Sequence, residues 1–435
     1  MIHGSLPAPA LSPGLGRHPL PLERVAHRPR PDVGAHALPA EVIDVIEEHR
    51  GFEALEAEWN DLFHRAGKGS QLFQTFNWNW HWANHYLAAP GRRGGPSLAV
   101  VTVRRQGRLV MIWPLVFRRV AGLGVLQWMG EPASQYGDVL AEDLADGPEL
   151  MRRAWGFIAA RLGADALHLR KVRADAAVAP LLRELGAMQV AAAEAPYLDL
   201  ASAPDFASYE QRYTGKARKN RRRLLRRLAE RGPLAVERLT DGPQARAAAR
   251  KGIELKRTWI EKTGRVSPAF ADERFAAFFA DVAEGRSRPV GCGVTVLKSA
   301  GAPAGIAIDL TCNGHRAAHV IVHDPQLDRF SAGTLLLEAW IKGACADGAA
   351  TFDLLAPAYA YKLDWADGSV AVGDFAHGVT LAGRAYVGVY LARVRGALKA
   401  AVEAWPRAVA RVCALRRLVL LSRDGQAETR HEVAT

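Results

Sequence analysis

The sequence predicts an α/β protein of two similar lobes, each a central mixed sheet flanked by helices. Three observations carry that prediction. Short runs rich in Val, Ile, Leu and Phe alternate along the chain with amphipathic stretches of helical period. The order of two strands, a helix and a further strand occurs once in each half. At 435 residues the chain exceeds one ordinary core and fits two.

Residues 1–40 hold eight of the 24 prolines, with Gly, His and Arg between them, and read as a disordered leader. An N-terminal domain is expected over 41–203. It opens with a short strand, then a helix that places Phe52, Leu55, Trp59, Leu62 and Phe63 on one face. Phe73, Phe76, Trp78, Trp80 and Trp82 follow within ten residues and read as packed core. Residues 98–103 and 109–117 are strands joined by a polar turn; Pro114 puts the second at an edge or a bulge. A helix over 147–163, a strand over 166–172, a helix over 178–187 and a strand at 197–200 complete the lobe. The boundary falls in the Ser/Ala/Pro loop near 199–204.

The second domain is expected over 204–390. A helix over 209–231 shows a thin apolar stripe of Tyr213, Ala217, Leu224 and Leu228. Strands follow at 291–297, 304–311 and 319–322, then an apolar helix beginning at Ala332 and a strand at 351–355. RLGADALHLR in the first half echoes ADGAATFDLL in the second, the mark of a weak internal repeat.

Charge is concentrated. The net +12 is carried by 215–231, with nine Lys/Arg and one Glu, and by 391–420, with seven Lys/Arg and one Glu. A nearly neutral body with two basic elements argues for local roles. The basic helix is either a solvated surface or a phosphate-contacting element, the phosphates belonging to CoA, a lipid-linked sugar or tRNA. No helix-turn-helix or zinc-finger pattern surrounds it, which argues against sequence-specific DNA reading. The basic amphipathic tail, 391–435, either lies on an anionic membrane face through 391–420 or docks on its own domain. No run approaches the ~20 apolar residues of a membrane span, so the expected compartment is the cytoplasm, with peripheral contact at the inner membrane face as the alternative. The four cysteines form no C-x-x-C pair, so no metal or redox site is expected.

The chemistry concentrates between His323 and Trp365. Arg329, Ser331, Ala332, Gly333 and Thr334 stand before an apolar helix whose N-terminus carries partial positive charge. Small residues there let backbone N–H groups approach an anion such as a diphosphate. Downstream, FDLLAPAYAYKLDW ends a strand and presents Tyr359, Tyr361 and Lys362, with Asp364 and Trp365 after them. A Tyr or Lys beside a thioester can protonate the leaving thiolate or stabilise the oxyanion.

These motifs, in this order, resemble the acetyltransferase family of CelD-type cellulose and exopolysaccharide biosynthesis proteins, a GNAT branch related to the FemAB peptidyltransferases. The resemblance spans about 49–375. It rests on WNDLF with FQTFNWNWHW, on ASQYGDVL, on KARKNRRRLLRRL, on HDPQLDRFSAGTLLLEAWIKGACADG, and on FDLL with the later Tyr361-Lys362 and Trp365. It implies tandem GNAT-like domains and N-acyl transfer from acetyl-CoA or another acyl-CoA, without a metal. Arg329, Ser331 and the 332–334 backbone would hold the CoA diphosphate. The stretch RFSAGT carries one Gly of the family signature. Lys362 matches the family's final Lys, and Lys362 or Tyr361 would act on the oxyanion or the sulfur. The acceptor amine would enter near Tyr136 and Asp138, with Trp365 beside it. Where relatives carry a Gly and an acid, this chain has Ala356, Pro357 and Ala358, so Asp353 or Asp138 would supply the carboxylate, or the amine arrives neutral. The acceptor is expected to be an amine-bearing small molecule or an envelope or exopolysaccharide precursor. The alternatives are Fem-like transfer from aminoacyl-tRNA and a non-catalytic scaffold in polysaccharide assembly.

Overall fold

The computed structural model describes residues 41–87, 95–285 and 289–404. The predicted leader, and the tail beyond Ala404, lie outside them. Among the described residues, fifteen strands form two sheets. The smaller has the order β1 (Glu41–Ile46), β3 (Val100–Arg105), β4 (Arg108–Trp113) and β7 (Leu140–Ala141), all antiparallel. The larger has eleven strands and runs through both halves of the sequence. From one edge it contains β10 (Leu234–Leu239), β11 (Gly291–Ser299), β12 (Ala302–Cys312), β13 (His315–His323) and β14 (Thr351–Asp353). It continues with β9 (Met188–Asp199), β15 (Gly368–Gly378), β8 (Ala166–Arg173), β6 (Leu123–Trp128), β5 (Leu115–Val120) and β2 (Ser97–Leu98). The fold is therefore α/β, as the sequence predicts, with a large mixed sheet and a small antiparallel one flanked by helices.

The strand exchange at the centre of this sheet is invisible to local pattern. β9 of the first half pairs with β14 of the second, and β15 slots between β9 and β8. The strand expected over 109–117 divides at Pro114: β4 belongs to the small sheet and β5 to the large one. Proline has no N–H to continue a ladder, so the chain turns a corner there. The helix expected over 209–231 is shorter. A short helical turn at Phe206–Tyr209 and a 3-10 turn at Glu210–Arg212 come first; Thr214 Oγ1 then accepts from Ala217 N, and the helix runs Gly215–Ala229.

Helices cover both faces of β11–β13. We label α1 (Glu56–Ala66), α2 (Phe76–Tyr86), α3 (Gly147–Leu162), α4 (Gly215–Ala229), α5 (Gly242–Lys262), α6 (Glu273–Glu284), α7 (Ala332–Ala346) and α8 (Ala360–Leu363). On one face, Trp59, Trp78 and Trp82 of α1 and α2 share a core with Ile253 of α5 and Phe278 of α6. Trp78 meets Phe278 edge-on at 4.9 Å, so the aromatic cluster seals the two halves together. On the other face, Leu335, Leu336 and Trp340 of α7 pack with Leu224 and Leu228 of α4.

One buried carboxylate, Asp309, is closely matched. Arg238 grips Asp309 through two hydrogen bonds, 2.8 and 3.0 Å, and Trp340 Nε1 donates to the same carboxylate at 2.6 Å. Asp309 is fully buried, and the Arg238 guanidinium beside it outweighs the cost of burial and lowers its pKa. Cys292 and Cys312 are free and buried, with thiol pKa values raised by burial. No helix among the described residues is long and apolar enough to cross a membrane.

Candidate active site

β13 and β14 run parallel and pair only from His315–Thr351 to Ala317–Asp353. Past Ala317 the two strands part, because β14 ends while β13 continues to His323. The ladder of β13 with β12 also slips there. Ile308 faces Val320 and Asp309 faces Ala318, which leaves His319 as the extra residue of a bulge. Backbone groups of β13 beyond this point are freed from the sheet on the β14 side. One is filled: Lys256 Nζ of α5 donates to the Ile321 carbonyl at 3.0 Å.

A cavity of about 500 Å³ occupies the opening. Its walls are Ile321, Val322 and His323 from β13, Lys256 and Trp259 from α5, and Ser331, Gly333, Thr334 and Leu337 from the start of α7. Tyr361, Asp364 and Trp365 close it from the loop after β14. Ser331 caps α7 in the left-handed region, φ 54°. Its carbonyl accepts from Thr334 N and Leu335 N. The N–H groups of Ala332 and Gly333 come earlier in the turn, where a helix supplies no partner, and the macrodipole makes that end positive. Gly333 is needed for closeness: a Cβ there would lie 2.9 Å from His323 Nδ1. His323 is fixed in turn by Asp328, Nε2 to Oδ1 2.6 Å.

Of the residues expected to hold a donor, Ser331, Gly333 and Thr334 line this cavity. Ala332 is buried at the helix start and offers only its backbone, and Arg329 is exposed and turned to the ring of Phe330, 4.8 Å away. Tyr361 stands on the cavity wall, stacked on Tyr359, and its partial burial raises its pKa. Lys362 points the other way. It is buried, and Nζ donates to the Leu355 carbonyl at 2.7 Å. Burial pulls its pKa down to about 8, with Lys256 pushing the same way and Asp353 opposing. Lys256 is likewise lowered to about 8, by burial and then by Arg265.

Tyr136 and Asp353 come together although 217 residues separate them: the Tyr136 hydroxyl donates to Asp353 at 2.8 Å. Arg173 and His315 approach the same carboxylate at 3.4 and 3.3 Å, beside a second cavity of about 380 Å³. Leu355 N also donates to Asp353, so the Leu355 peptide links this carboxylate to Lys362. Asp138 stands apart. It is buried and accepts from Gln71 Nε2 and from the backbone of Val139, Ala177 and Val178, which ties loops together. Burial raises its pKa. Trp365 lines the first cavity, and no group of three metal-ligating side chains exists among the described residues.

Sequence reasoning passed over Lys256, Trp259 and His323. The first two lie three apart on one face of α5, and nothing in their spacing announces a site more than 60 residues away. His323 stands inside the motif already singled out, and only the fold shows it lying over Gly333.

Residues 215–363 match the family model described as acetyltransferase (GNAT) domain. Over that span the chain is similar to a GNAT acetyltransferase domain, and the likeness supports an acyltransferase. The span begins with α4, includes the parted strands and α7, and ends at α8. No curated protein matches the sequence. Among solved structures, FemX is similar over 79% of this chain and 99% of its own, at 11% identity and a TM-score of 0.52, a likeness of fold. A tandem GNAT protein from the clavulanic acid biosynthesis pathway covers 78% of this chain and 99% of its own, with 14% identity and a TM-score of 0.43. The C-terminal domain of a proposed lysylphosphatidylglycerol synthetase from Agrobacterium fabrum covers 78% and 96%, with 14% identity and a TM-score of 0.49.

Proposed function

We propose that this protein transfers an acyl group from acyl-CoA to an amine in the cavity between β13, α5, α7 and α8. The observation that carries this reading is the parting of β13 from β14 beside a helix N-terminus whose Gly333 lines the cavity and lets the His323 ring lie close over it. The amides of Ala332 and Gly333 take the diphosphate. The pantetheine arm runs as an extended chain along the open edge of β13, past Ile321. The thioester then reaches the bulge at His319.

The amine attacks the thioester carbonyl, the carbon–sulfur bond breaks, and Tyr361 gives its hydroxyl proton to the departing sulfur. The phenolate recovers a proton from the new amide nitrogen. Burial raises the pKa of Tyr361, so the hydroxyl is protonated at neutral pH and has a proton to give. Lys362 acts as a positioning residue: its ammonium holds the Leu355 carbonyl and so fixes the short helix that presents Tyr361. The acceptor approaches from the side of Tyr136, Arg173 and Asp353. An amine-bearing small molecule or an envelope or exopolysaccharide precursor, acylated in the cytoplasm, fits this reading. The test is thiol release from acetyl-CoA with a panel of amines. Tyr361→Phe is expected to lower kcat by about 10²-fold with KM for the donor unchanged; an unchanged kcat removes Tyr361 from the chemistry.

A second reading is favoured by α4, whose outward arc carries Lys216, Lys219, Arg222, Arg223 and Arg226, all exposed. Under it the acyl donor is an aminoacyl-tRNA held by that arc. Transfer would then fall steeply between 50 and 200 mM salt, as counterion release requires, whereas transfer from acetyl-CoA would fall little.

A further inference from the structure

Three guanidinium groups converge on the ring of Phe330. Arg329 lies 4.8 Å from its centroid, Arg231 5.3 Å and Arg227 5.7 Å. Two come from the end of α4 and the turn after it, the third from the loop before α7, so elements some 100 residues apart deliver charge to one place. Phe330 is buried and directly precedes Ser331, the cap of α7.

Two arginines earlier in α4 are compensated. Arg221 pairs with Glu338, and Arg222 with Glu210. Among the described residues the three around Phe330 have no carboxylate partner. Gathered like charges repel, and one aromatic face offsets little of that. A phosphate dianion answers such a group through paired N–H donors from each guanidinium.

The geometry points to this cluster as a phosphomonoester subsite, and, resting on the acyl-CoA reading above, to the ribose 3′-phosphate of the donor as its occupant. The amides that take the diphosphate, at Ala332 and Gly333, follow Phe330 by two and three residues. The nucleotide end of the donor therefore meets the arginines as its diphosphate meets the helix. The consequence is selection among donors: CoA thioesters are preferred to thioesters that lack this phosphate.

Calorimetry on the full chain with CoA and 3′-dephospho-CoA tests it, using wild type and the Arg227→Ala/Arg231→Ala variant, with Arg329→Ala separately. Wild type is expected to bind CoA about tenfold or more tighter than 3′-dephospho-CoA. The double variant is expected to bind both alike, with the 3′-dephospho-CoA affinity kept, and Arg329→Ala to narrow the gap. Inorganic phosphate is expected to compete with CoA and not with 3′-dephospho-CoA. Equal binding of the two by wild type overturns the subsite, as does a double variant that loses both equally. If wild type binds neither, the acyl-CoA reading itself fails and takes the subsite with it.

Discussion

The guanidinium of Arg221 lies 4.8 Å from the ring centroids of both Tyr213 and Trp365, and its Nε donates to Glu338 at 2.9 Å. Arg221 is the buried arginine of an otherwise cationic, solvated helix. It locks α4 onto α7 through Glu338 and onto the cavity through Trp365, so a basic helix that looks like pure surface in sequence also braces the site. Arg221→Ala is expected to cost about 3 kcal/mol, because Glu338 loses its partner in a mostly covered position. Urea unfolding would show this, together with a raised KM for the donor. Arg221→Lys would recover part of the stability and less of the KM, since an ammonium lacks the planar face that packs against aromatic rings.

Asp309 is the keystone of the face opposite α5. Asp309→Ala would leave Arg238 and the Trp340 indole without their acceptor in the interior. The expected loss is about 3–5 kcal/mol, read as a lower denaturant midpoint or as insoluble protein. Asp309→Asn keeps an acceptor oxygen and is expected to lose less.

Gly333→Ala tests the closeness of the helix start. The new Cβ would press on His323 Nδ1 at 2.9 Å and cover the amide that faces the donor. Losing one charge-assisted hydrogen bond raises the Kd for CoA by about tenfold or more. The thermal midpoint should barely move, since the position faces the cavity. An unchanged Kd would place the diphosphate elsewhere.

Lys362 predicts a pH dependence of stability. Its folded pKa is lowered to about 8 from 10.5. Below about 8 both folded and unfolded chains hold the proton, and the full cost of burying the charge is present. Between 8 and 10.5 the unfolded chain holds a proton that the folded chain has released, so stability rises with pH across that window. Comparing wild type with Lys362→Met isolates the effect: the variant should show a smaller rise, the remainder coming from groups such as Lys256 that burial lowers in the same way.

Activity should move the opposite way. Losing the charge weakens the hydrogen bond to the Leu355 carbonyl and loosens the segment bearing Tyr361, so kcat should decline above about pH 8. Lys362→Arg keeps its charge and is expected to shift that decline upward. A decline at the same pH in Lys362→Arg would assign it to another group.

Much of the candidate site could be read from the sequence because it is local. Ser331, Gly333 and Thr334 stand together at a helix start, and Tyr361 follows a strand end by a few residues; short-range stereochemistry places such groups wherever the fold puts the element. Tyr136 and Asp353 were each visible as candidates, yet nothing in the sequence marked them as partners. Asp138 carries the same carboxylate and became a loop tie instead. The difference is which backbone amides surround each one, and those amides come from distant segments.

The sequence by itself determined the α/β class, the helices and most strands, the capped start of α7 and the concentration of charge on α4, because these follow from periodicity, turn chemistry and composition. Only the tertiary structure decided that β15 would lie between β9 and β8, that β13 and β14 would part after Ala317, that Lys256 would fill the freed carbonyl, and that Lys362 would face Leu355. Hydrogen bonding between strands far apart in sequence is paid for by burial of the whole sheet, so no short window of residues contains the information that selects it.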